Sequence, residues 1–114
     1  MIPFNNRFHG HNSLNYVYKN GQSARSDMIS IRYIKNSNRK ESRIAVVVGK
    51  KILKSAVGRN RIRRRVYGYA HTLLVNFQDS YDLIFIIHSK ELKDIGHKDL
   101  AQQIDKLLNQ AKIL

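Results

Sequence analysis

Cysteine and tryptophan are absent from this 114-residue chain, and proline occurs once, at Pro3. Without cysteine there can be no disulfide, no thiolate nucleophile and no zinc finger, so packing alone must hold the core. No apolar run approaches the roughly 20 residues of a membrane span, and no basic-apolar-small signal pattern opens the chain. These absences predict a soluble cytoplasmic protein with no membrane partner.

Acidic residues are scarce as well. Eight Asp and Glu stand against 21 Lys and Arg, for a formal net charge of +13. Such a charge favours a polyanionic partner. Hydrophobic residues make up 42% of the chain, which is ordinary for a globular protein, so the charge belongs to a folded domain and not to a disordered tail. The length predicts a single domain over residues 1–114.

Hydrophobic periodicity predicts an α+β fold of order α-β-β-(β)-α-β-α, in which the bracketed strand cannot be placed. The predicted strands lie at 27–35, 43–49 and 81–89, and the predicted helices at 13–20, from Ala56 onward and at 97–114. Ser13 and Ser55 are the candidate N-caps of the first two helices. Residues 1–12 lack a sustained period and are predicted to form an irregular arm.

The stretch from Lys50 to Arg65 contains eight lysines and arginines and no acid. From Ile62 an apolar stripe recurs at helical spacing, which predicts that core and charge occupy different faces of one helix. A solvated helix face is the ordinary explanation for a charge run. Here, however, like charges one turn apart repel each other, so we expect an external anion to offset the repulsion. Arginine forks and a helix N-terminus both suit phosphate oxygens.

RNA is favoured over DNA as the source of that phosphate. A zinc finger is impossible without cysteine, no heptads follow the basic run, and a sheet-containing order does not suit a simple helix-turn-helix. RNA-binding modules often add aromatic rings on which unstacked bases lie. Tyr16, Tyr18 and Tyr33 could supply such rings, and each could equally belong to the core with a solvated hydroxyl.

At this point the sequence resembles a known family. "AVGRNRIRRR", residues 56–65, is similar to the RNR signature of the bacterial ribonuclease P protein subunit. "RIAVVVGKK" resembles that family's strand ending in a lysine pair, "NRFHGHNSLNYVYKNG" its first helix, and "YDLIFII" with the last amphipathic helix its C-terminal half. The resemblance implies a two-layer α/β sandwich with a left-handed βαβ crossover.

The same resemblance implies a function and a set of partners. It predicts the protein cofactor of a ribonucleoprotein endonuclease that removes the 5′ leader from precursor tRNA. The ribonuclease P RNA would perform the chemistry with Mg²⁺ bound mainly by that RNA, and one protein would serve each RNA. The protein alone would be inactive, without catalytic or metal-binding residues of its own, and DNA would not be a partner.

The resemblance also assigns residues to the two RNAs. The RNA-subunit contact falls on Lys50, Lys51, Arg59, Asn60, Arg61, Arg63 and Arg64. The charge pattern adds Lys54, Arg65 and the outward-facing His71. The leader contact falls on Tyr18, more loosely on Tyr33, and on Leu14, which stands where the first helix of the family usually has an aromatic ring. Tyr67 and Gly68 also depart from the family pattern.

Two other functions compete with this prediction. A ribosomal or other structured-RNA-binding protein without a processing role would have the same composition, and only the signature and its context separate the two. A protein-only ribonuclease would need paired histidines or clustered carboxylates. The acids are scattered singly, and the motif His9-Gly10-His11 has no carboxylate nearby in sequence, so we expect no metal site there.

Overall fold

The computed structural model describes residues 11–36 and 41–114, which form a four-stranded sheet and three α-helices. The strands are β1 (Gln22–Arg25), β2 (Ile29–Lys35), β3 (Arg43–Val47) and β4 (Tyr81–Ile87). The helices are α1 (His11–Asn20), α2 (Ala56–Leu73) and α3 (His97–Gln110). Short 3₁₀ turns follow α2 at Leu74–Asn76 and precede α3 at Lys90–Lys93.

The predicted element order is confirmed, with corrections at the N-terminal end and at the last helix, which ends at Gln110 and not at residue 114. The strand that could not be placed is β1, which lies before the first predicted strand. The first helix begins at His11, so residues 11 and 12 belong to α1 and not to the arm, and Ser13 lies inside the helix and is not its N-cap. Residues 1–10 of the predicted arm lie outside the described residues.

The strands are ordered β1-β2-β4-β3 across the sheet. β2 pairs antiparallel with both β1 and β4, whereas β3 runs parallel to β4 with Val46 opposite Phe85. Helix α2 therefore joins two adjacent parallel strands, as a βαβ crossover does. The left hand of that crossover stays a prediction from the family resemblance.

The two faces of the sheet carry cores of different size. On one face, α2 and α3 pack against Ile31, Leu83 and Phe85, which are fully buried. With the sheet, these two helices make the predicted two-layer sandwich. On the other face, α1 covers a small cluster of Val17, Ala45 and Ile84. Because each buried Val, Leu, Ile or Phe contributes about 1.5–3 kcal/mol, the larger core on the α2 and α3 side supplies most of the stability.

The parallel pairing of β3 and β4 brings two basic segments to one end of the sheet. The turn after β3 holds Lys50 and Lys51 and leads into α2. The segment between β4 and α3 (residues 88–96, here the β4–α3 segment) holds Lys90 and Lys93. Since parallel strands end at the same edge of a sheet, both segments lie beside the first turns of α2.

An ion pair joins β3 and β4 at the opposite end of the sheet. Arg43 donates from Nε to Asp82 Oδ1 at 2.8 Å and from Nη2 to Oδ2 at 2.6 Å. Asn36 adds a third hydrogen bond to Oδ1 at 3.0 Å. The hydrogen bonding that Arg43 donates to Asp82 raises the pKa of Arg43 more than burial lowers it. This network joins the first residue of β3, the second residue of β4 and the residue that follows β2.

Candidate nucleic-acid interface

The first ten residues of α2 carry a row of polar and cationic side chains, called here the α2 ridge: Arg59, Asn60, Arg61, Arg63, Arg64 and Arg65. The helix begins as predicted, because the Ser55 hydroxyl accepts a hydrogen bond from Gly58 N at 3.1 Å. Its buried stripe is Gly58, Ile62, Val66 and Ala70. The ridge lies on the remaining surface, so the predicted separation of core and charge is confirmed.

Most guanidinium groups of the α2 ridge are held in place by backbone carbonyls. Arg59 Nη1 donates to Leu53 O at 2.9 Å and to Lys54 O at 2.8 Å, which ties the helix to the turn before it. Arg61 Nε donates to Lys93 O at 2.9 Å, in the β4–α3 segment. These bonds orient the cations without cancelling their charge, since a carbonyl carries no net charge.

Neighbouring arginines of the ridge differ in their surroundings. Arg65 is half-buried and donates from both terminal nitrogens, to Leu92 O at 2.7 Å and to Ile95 O at 2.5 Å. Arg64 is exposed. Arg63 Nη1 donates to Asn60 Oδ1 at 2.8 Å, a contact inside the ridge. The sequence predicted one role for all of these side chains, and the structure separates the half-buried Arg65, held by two carbonyls, from the exposed Arg64.

Carboxylates do not neutralise the ridge. Across residues 11–36 and 41–114, the ion pairs are Lys35–Asp79, Arg43–Asp82 and Lys93–Asp94, and none includes an arginine of α2. The exposed side chains Lys50, Lys51 and Lys54 continue the positive surface along the turn before the helix. The combined surface offers guanidinium and ammonium groups to a polyanion.

His71 lies apart from this surface. It is exposed in the last turn of α2 and lines a hollow of about 480 Å³ together with Glu41 and Phe77. Arg64 is seven residues earlier, which is about 10 Å along a helix. His71 therefore lies two turns beyond Arg64, on the same side of α2 but outside the α2 ridge.

The other face of the sheet carries the predicted leader residues of α1. Leu14 packs against the small core around Val17, and Tyr18 keeps 37% of its surface exposed. Arg32 of β2 lies next to them and donates from Nη2 to Tyr18 O. Burial raises the pKa of the Tyr18 hydroxyl, and the charge of Arg32 acts in the opposite direction. Leu14, Tyr18 and Arg32 are called here the α1 face.

Tyr33 does not belong to the α1 face. It points to the opposite side of β2, where it packs against the large core and meets the Tyr81 ring edge-on at 6.2 Å between centroids. Its hydroxyl donates to Gln22 Oε1 at 3.2 Å, in a groove of about 460 Å³ at the end of α1. Tyr18 and Tyr33 therefore lie on different faces of the sheet, because alternation along β2 turns Tyr33 away from the face that α1 covers.

Arg32 and Lys93 are the residues near these surfaces that the sequence prediction missed. Side-chain alternation along β2 places Arg32 on the face opposite Tyr33, but nothing in the local sequence indicates which face α1 covers. Arg32 Nε is buried without a hydrogen-bond partner, which is true of no other side-chain nitrogen or oxygen in the described part of the chain. Lys93 is 32 residues from Arg61, and no local pattern predicts that contact.

The described residues form neither a metal-binding cluster nor a helix that could span a membrane. Within the described ranges, no three His, Asp or Glu side chains come close enough to hold a metal ion. The side chains of the motif His9-Gly10-His11 fall outside that part of the structure. No helix among residues 11–36 and 41–114 has the length and apolar character that crossing a bilayer requires.

Comparison with known proteins gives one consistent family. The family model described as Ribonuclease P matches residues 2–112. The Ribonuclease P protein component of Pseudanabaena sp. (strain PCC 6903) is 29% identical over 114 residues, covering 100% of this chain and 97% of that protein. The Ribonuclease P protein component of Clostridium botulinum (strain Langeland / NCTC 10281 / Type F) is 31% identical over 109 residues, covering 95% of this chain and 96% of that protein.

A solved structure shows the same fold. The RNase P protein of Staphylococcus aureus superposes with a TM-score of 0.84 at 22% identity, and the match covers 95% of this chain and 96% of that chain. At this identity the likeness concerns the arrangement of helices and strands, and individual side-chain roles must be argued from the residues themselves.

Proposed function

This chain belongs to the Ribonuclease P family, and on that premise we propose that it is the cofactor that assists removal of the 5′ leader from precursor tRNA. It binds the ribonuclease P RNA, one protein to each RNA, in the cytoplasm. The RNA performs the chemistry with Mg²⁺ that it holds itself. The isolated protein is inactive.

The observation that carries this proposal is the unneutralised α2 ridge. Five of the seven residues from Arg59 to Arg65 are arginines, and within the described ranges no carboxylate pairs with them. Most are already oriented by hydrogen bonds within the protein. Binding a phosphate backbone to such a surface releases counterions and costs little side-chain ordering, so it is favourable and sensitive to salt.

The proposal divides the surface between two RNAs. The RNA subunit contacts the α2 ridge together with Lys50, Lys51 and Lys54, and His71 would be a peripheral contact because it lies about 10 Å further along α2. The single-stranded leader contacts the α1 face at Leu14 and Tyr18. An exposed tyrosine ring offers a stacking surface that accepts any base. Tyr33 would be a separate contact, reached only where the leader passes the end of α1.

Reconstitution tests the proposal. Purified protein, the matching ribonuclease P RNA and precursor tRNA are combined, and cleavage at the leader is measured over a range of Mg²⁺ concentrations. We expect no cleavage by protein alone, and a lower Mg²⁺ requirement for the RNA when the protein is present. Arg64→Ala should weaken this effect, whereas Lys106→Ala, which removes one charge from the exposed side of α3, should leave it intact.

Two outcomes would overturn the proposal in different ways. Protein that binds the RNA without changing its Mg²⁺ requirement would be a structured-RNA-binding protein with no processing role. Protein that cleaves precursor tRNA without RNA would be a ribonuclease in its own right.

A further inference from the structure

The β4–α3 segment is attached to the α2 ridge by its backbone. Arg65 bridges Leu92 O and Ile95 O with its two terminal nitrogens, at 2.7 Å and 2.5 Å, and Arg61 Nε reaches Lys93 O at 2.9 Å. Three carbonyls within four residues are thus held by two side chains of α2. The planar, five-donor guanidinium suits this bridging, which the single ammonium group of lysine cannot reproduce with the same geometry.

The attachment brings the side chain of Lys93 to the start of α2. A methyl group placed on Gly58 would lie 3.4 Å from Lys93 Cδ, so the lysine stem runs along the helix where this glycine leaves room. The Lys93 side chain retains 37% of its surface exposed. Its charged end is therefore available beside the exposed guanidinium groups of the ridge.

The neighbouring Asp94 carboxylate leaves the ammonium group of Lys93 accessible to an anion. Asp94 Oδ2 lies 3.8 Å from Lys93 Nζ, and the Asp94 side chain is 73% exposed. Exposed ion pairs of this kind are worth about 0–1 kcal/mol and are screened by salt, so a phosphate can displace the carboxylate.

We propose that Lys93 binds a phosphate of the ribonuclease P RNA beside the α2 ridge. In this proposal Arg65 is a positioning residue, which places Lys93 for the contact by holding the carbonyls of Leu92 and Ile95 on either side of it. This inference rests on the proposed function. It assigns different tasks to adjacent arginines: the exposed Arg64 contacts RNA, and the half-buried Arg65 acts through Lys93. It also extends the interface beyond α2 to a segment that is remote in sequence.

The first test compares the affinity for the RNA as a function of monovalent salt. Lys93→Ala should lower the slope of log K against log salt by about 0.9 if one duplex phosphate contact is lost. Lys106→Ala is the control of equal charge and should leave the slope unchanged. A slope for Lys93→Ala equal to that of Lys106→Ala would overturn the phosphate contact.

The second test separates charge from position at residues 64 and 65. Arg65→Lys keeps the charge but loses the bridge between two carbonyls, so it should weaken binding nearly as much as Arg65→Ala. Arg64→Lys should bind within about threefold of the wild type, because a lysine still meets a phosphate as a point charge. Equal retention of binding by Arg65→Lys and Arg64→Lys would overturn the positioning role.

A double-mutant cycle links the two residues. Lys93→Ala should cost at least about threefold less in the Arg65→Lys background than in the wild type, whereas its cost should be unchanged in the Arg64→Lys background. If the fold-loss in affinity of the double variant equals the product of the losses of Arg65→Lys and Lys93→Ala, the inference is contradicted. Thermal melts establish that each variant is folded, and if Arg65→Lys is not, the Lys93→Ala slope alone decides the proposal.

Failure of the proposed function has a different signature. Wild-type protein would then bind the ribonuclease P RNA no better than an unrelated structured RNA of the same length. The slopes of Lys93→Ala and Lys106→Ala on that unrelated RNA would still show whether Lys93 meets a phosphate.

Discussion

The arginines of the α2 ridge and of the α1 face both donate to backbone carbonyls, but they differ in what is left unpaired. On the ridge, Arg59, Arg61 and Arg65 donate to backbone carbonyls, and their charges are fixed in position. On the α1 face, Arg32 donates to Tyr18 O but keeps Nε buried without a partner. A buried unpaired donor costs about 1–3 kcal/mol, so the two surfaces differ in how completely their polar groups are satisfied.

The hydrophobic cores beneath the two surfaces differ in size. The ridge stands on a helix packed into the large core, whereas α1 covers only Val17, Ala45 and Ile84 with their half-buried neighbours. The difference suits two kinds of ligand. Under the proposed function, the surface whose cations are held by hydrogen bonds would suit a structured RNA, and the surface with an exposed tyrosine ring would suit a single strand.

The largest expected effect comes from a substitution that destabilises the whole fold, and with it both surfaces. Asp82→Ala leaves Arg43, whose side chain is only 18% exposed, without its carboxylate, and should lower the free energy of unfolding by about 3–5 kcal/mol. Urea unfolding measures it. Arg43→Met combined with Asp82→Leu should recover most of the loss, because two apolar residues leave no buried charge. A loss below about 1 kcal/mol for Asp82→Ala would show that the network contributes little.

The next effect should separate the two faces of the sheet. Tyr18→Ala should weaken binding of precursor tRNA to the reconstituted complex by about 1–3 kcal/mol, the range for one stacked base. Binding of tRNA without a leader should not change. Tyr33→Ala should have a smaller leader-dependent effect, because its ring lies on the opposite side of β2. Equal effects of the two substitutions would mean that the leader contacts both faces equally.

A smaller effect concerns how α2 is held against α3. Tyr69 donates its hydroxyl hydrogen bond to Asp105 Oδ1 at 2.6 Å, and this bond, followed by burial, raises the pKa of Tyr69 to about 12. Tyr69→Phe should therefore lower the free energy of unfolding by about 1–2 kcal/mol at neutral pH.

The pH dependence of this effect has a definite sign. Because the folded-state pKa of Tyr69 lies above the ordinary value of 10.0, the stabilisation is complete below pH 10 and is lost as pH rises toward about 12. Wild type and Tyr69→Phe should thus converge in unfolding free energy over that interval. A constant difference across it would contradict the hydrogen bond.

The smallest effect compares two glycines of α2. A methyl group on Gly68 meets nothing within 4 Å, so Gly68→Ala should raise the free energy of unfolding by about 1 kcal/mol through helix propensity. A methyl group on Gly58 would lie 2.6 Å from Leu53 Cδ2, so Gly58→Ala should fall short of that gain. Thermal melts of both variants measure the difference, and equal gains would show that Leu53 moves aside without cost.

Some of this architecture was predictable because it depends on local pattern. The stripe through Ile62, Val66 and Ala70 predicted the helix α2 and the side on which its charge would lie, and Ser55 predicted its start. β1 escaped placement because only Ala24 of its four residues is buried, so it has no apolar alternation to detect.

The partners of individual arginines were not predictable, because they depend on contacts between distant parts of the chain. Arg65 meets Leu92 and Ile95 only after β4 has paired with β3 and brought the β4–α3 segment to the start of α2. In the same way, alternation placed Tyr33 and Arg32 on opposite faces of β2, but the side that α1 covers follows from the complete fold.

The most direct measurement of the central claim, that the α2 ridge is an uncancelled cationic surface for RNA, is the salt dependence of binding by Arg64→Ala. The account predicts that the slope of log K against log salt falls by about one unit relative to wild type, with an unchanged thermal melt. An unchanged slope in a folded Arg64→Ala protein would contradict it.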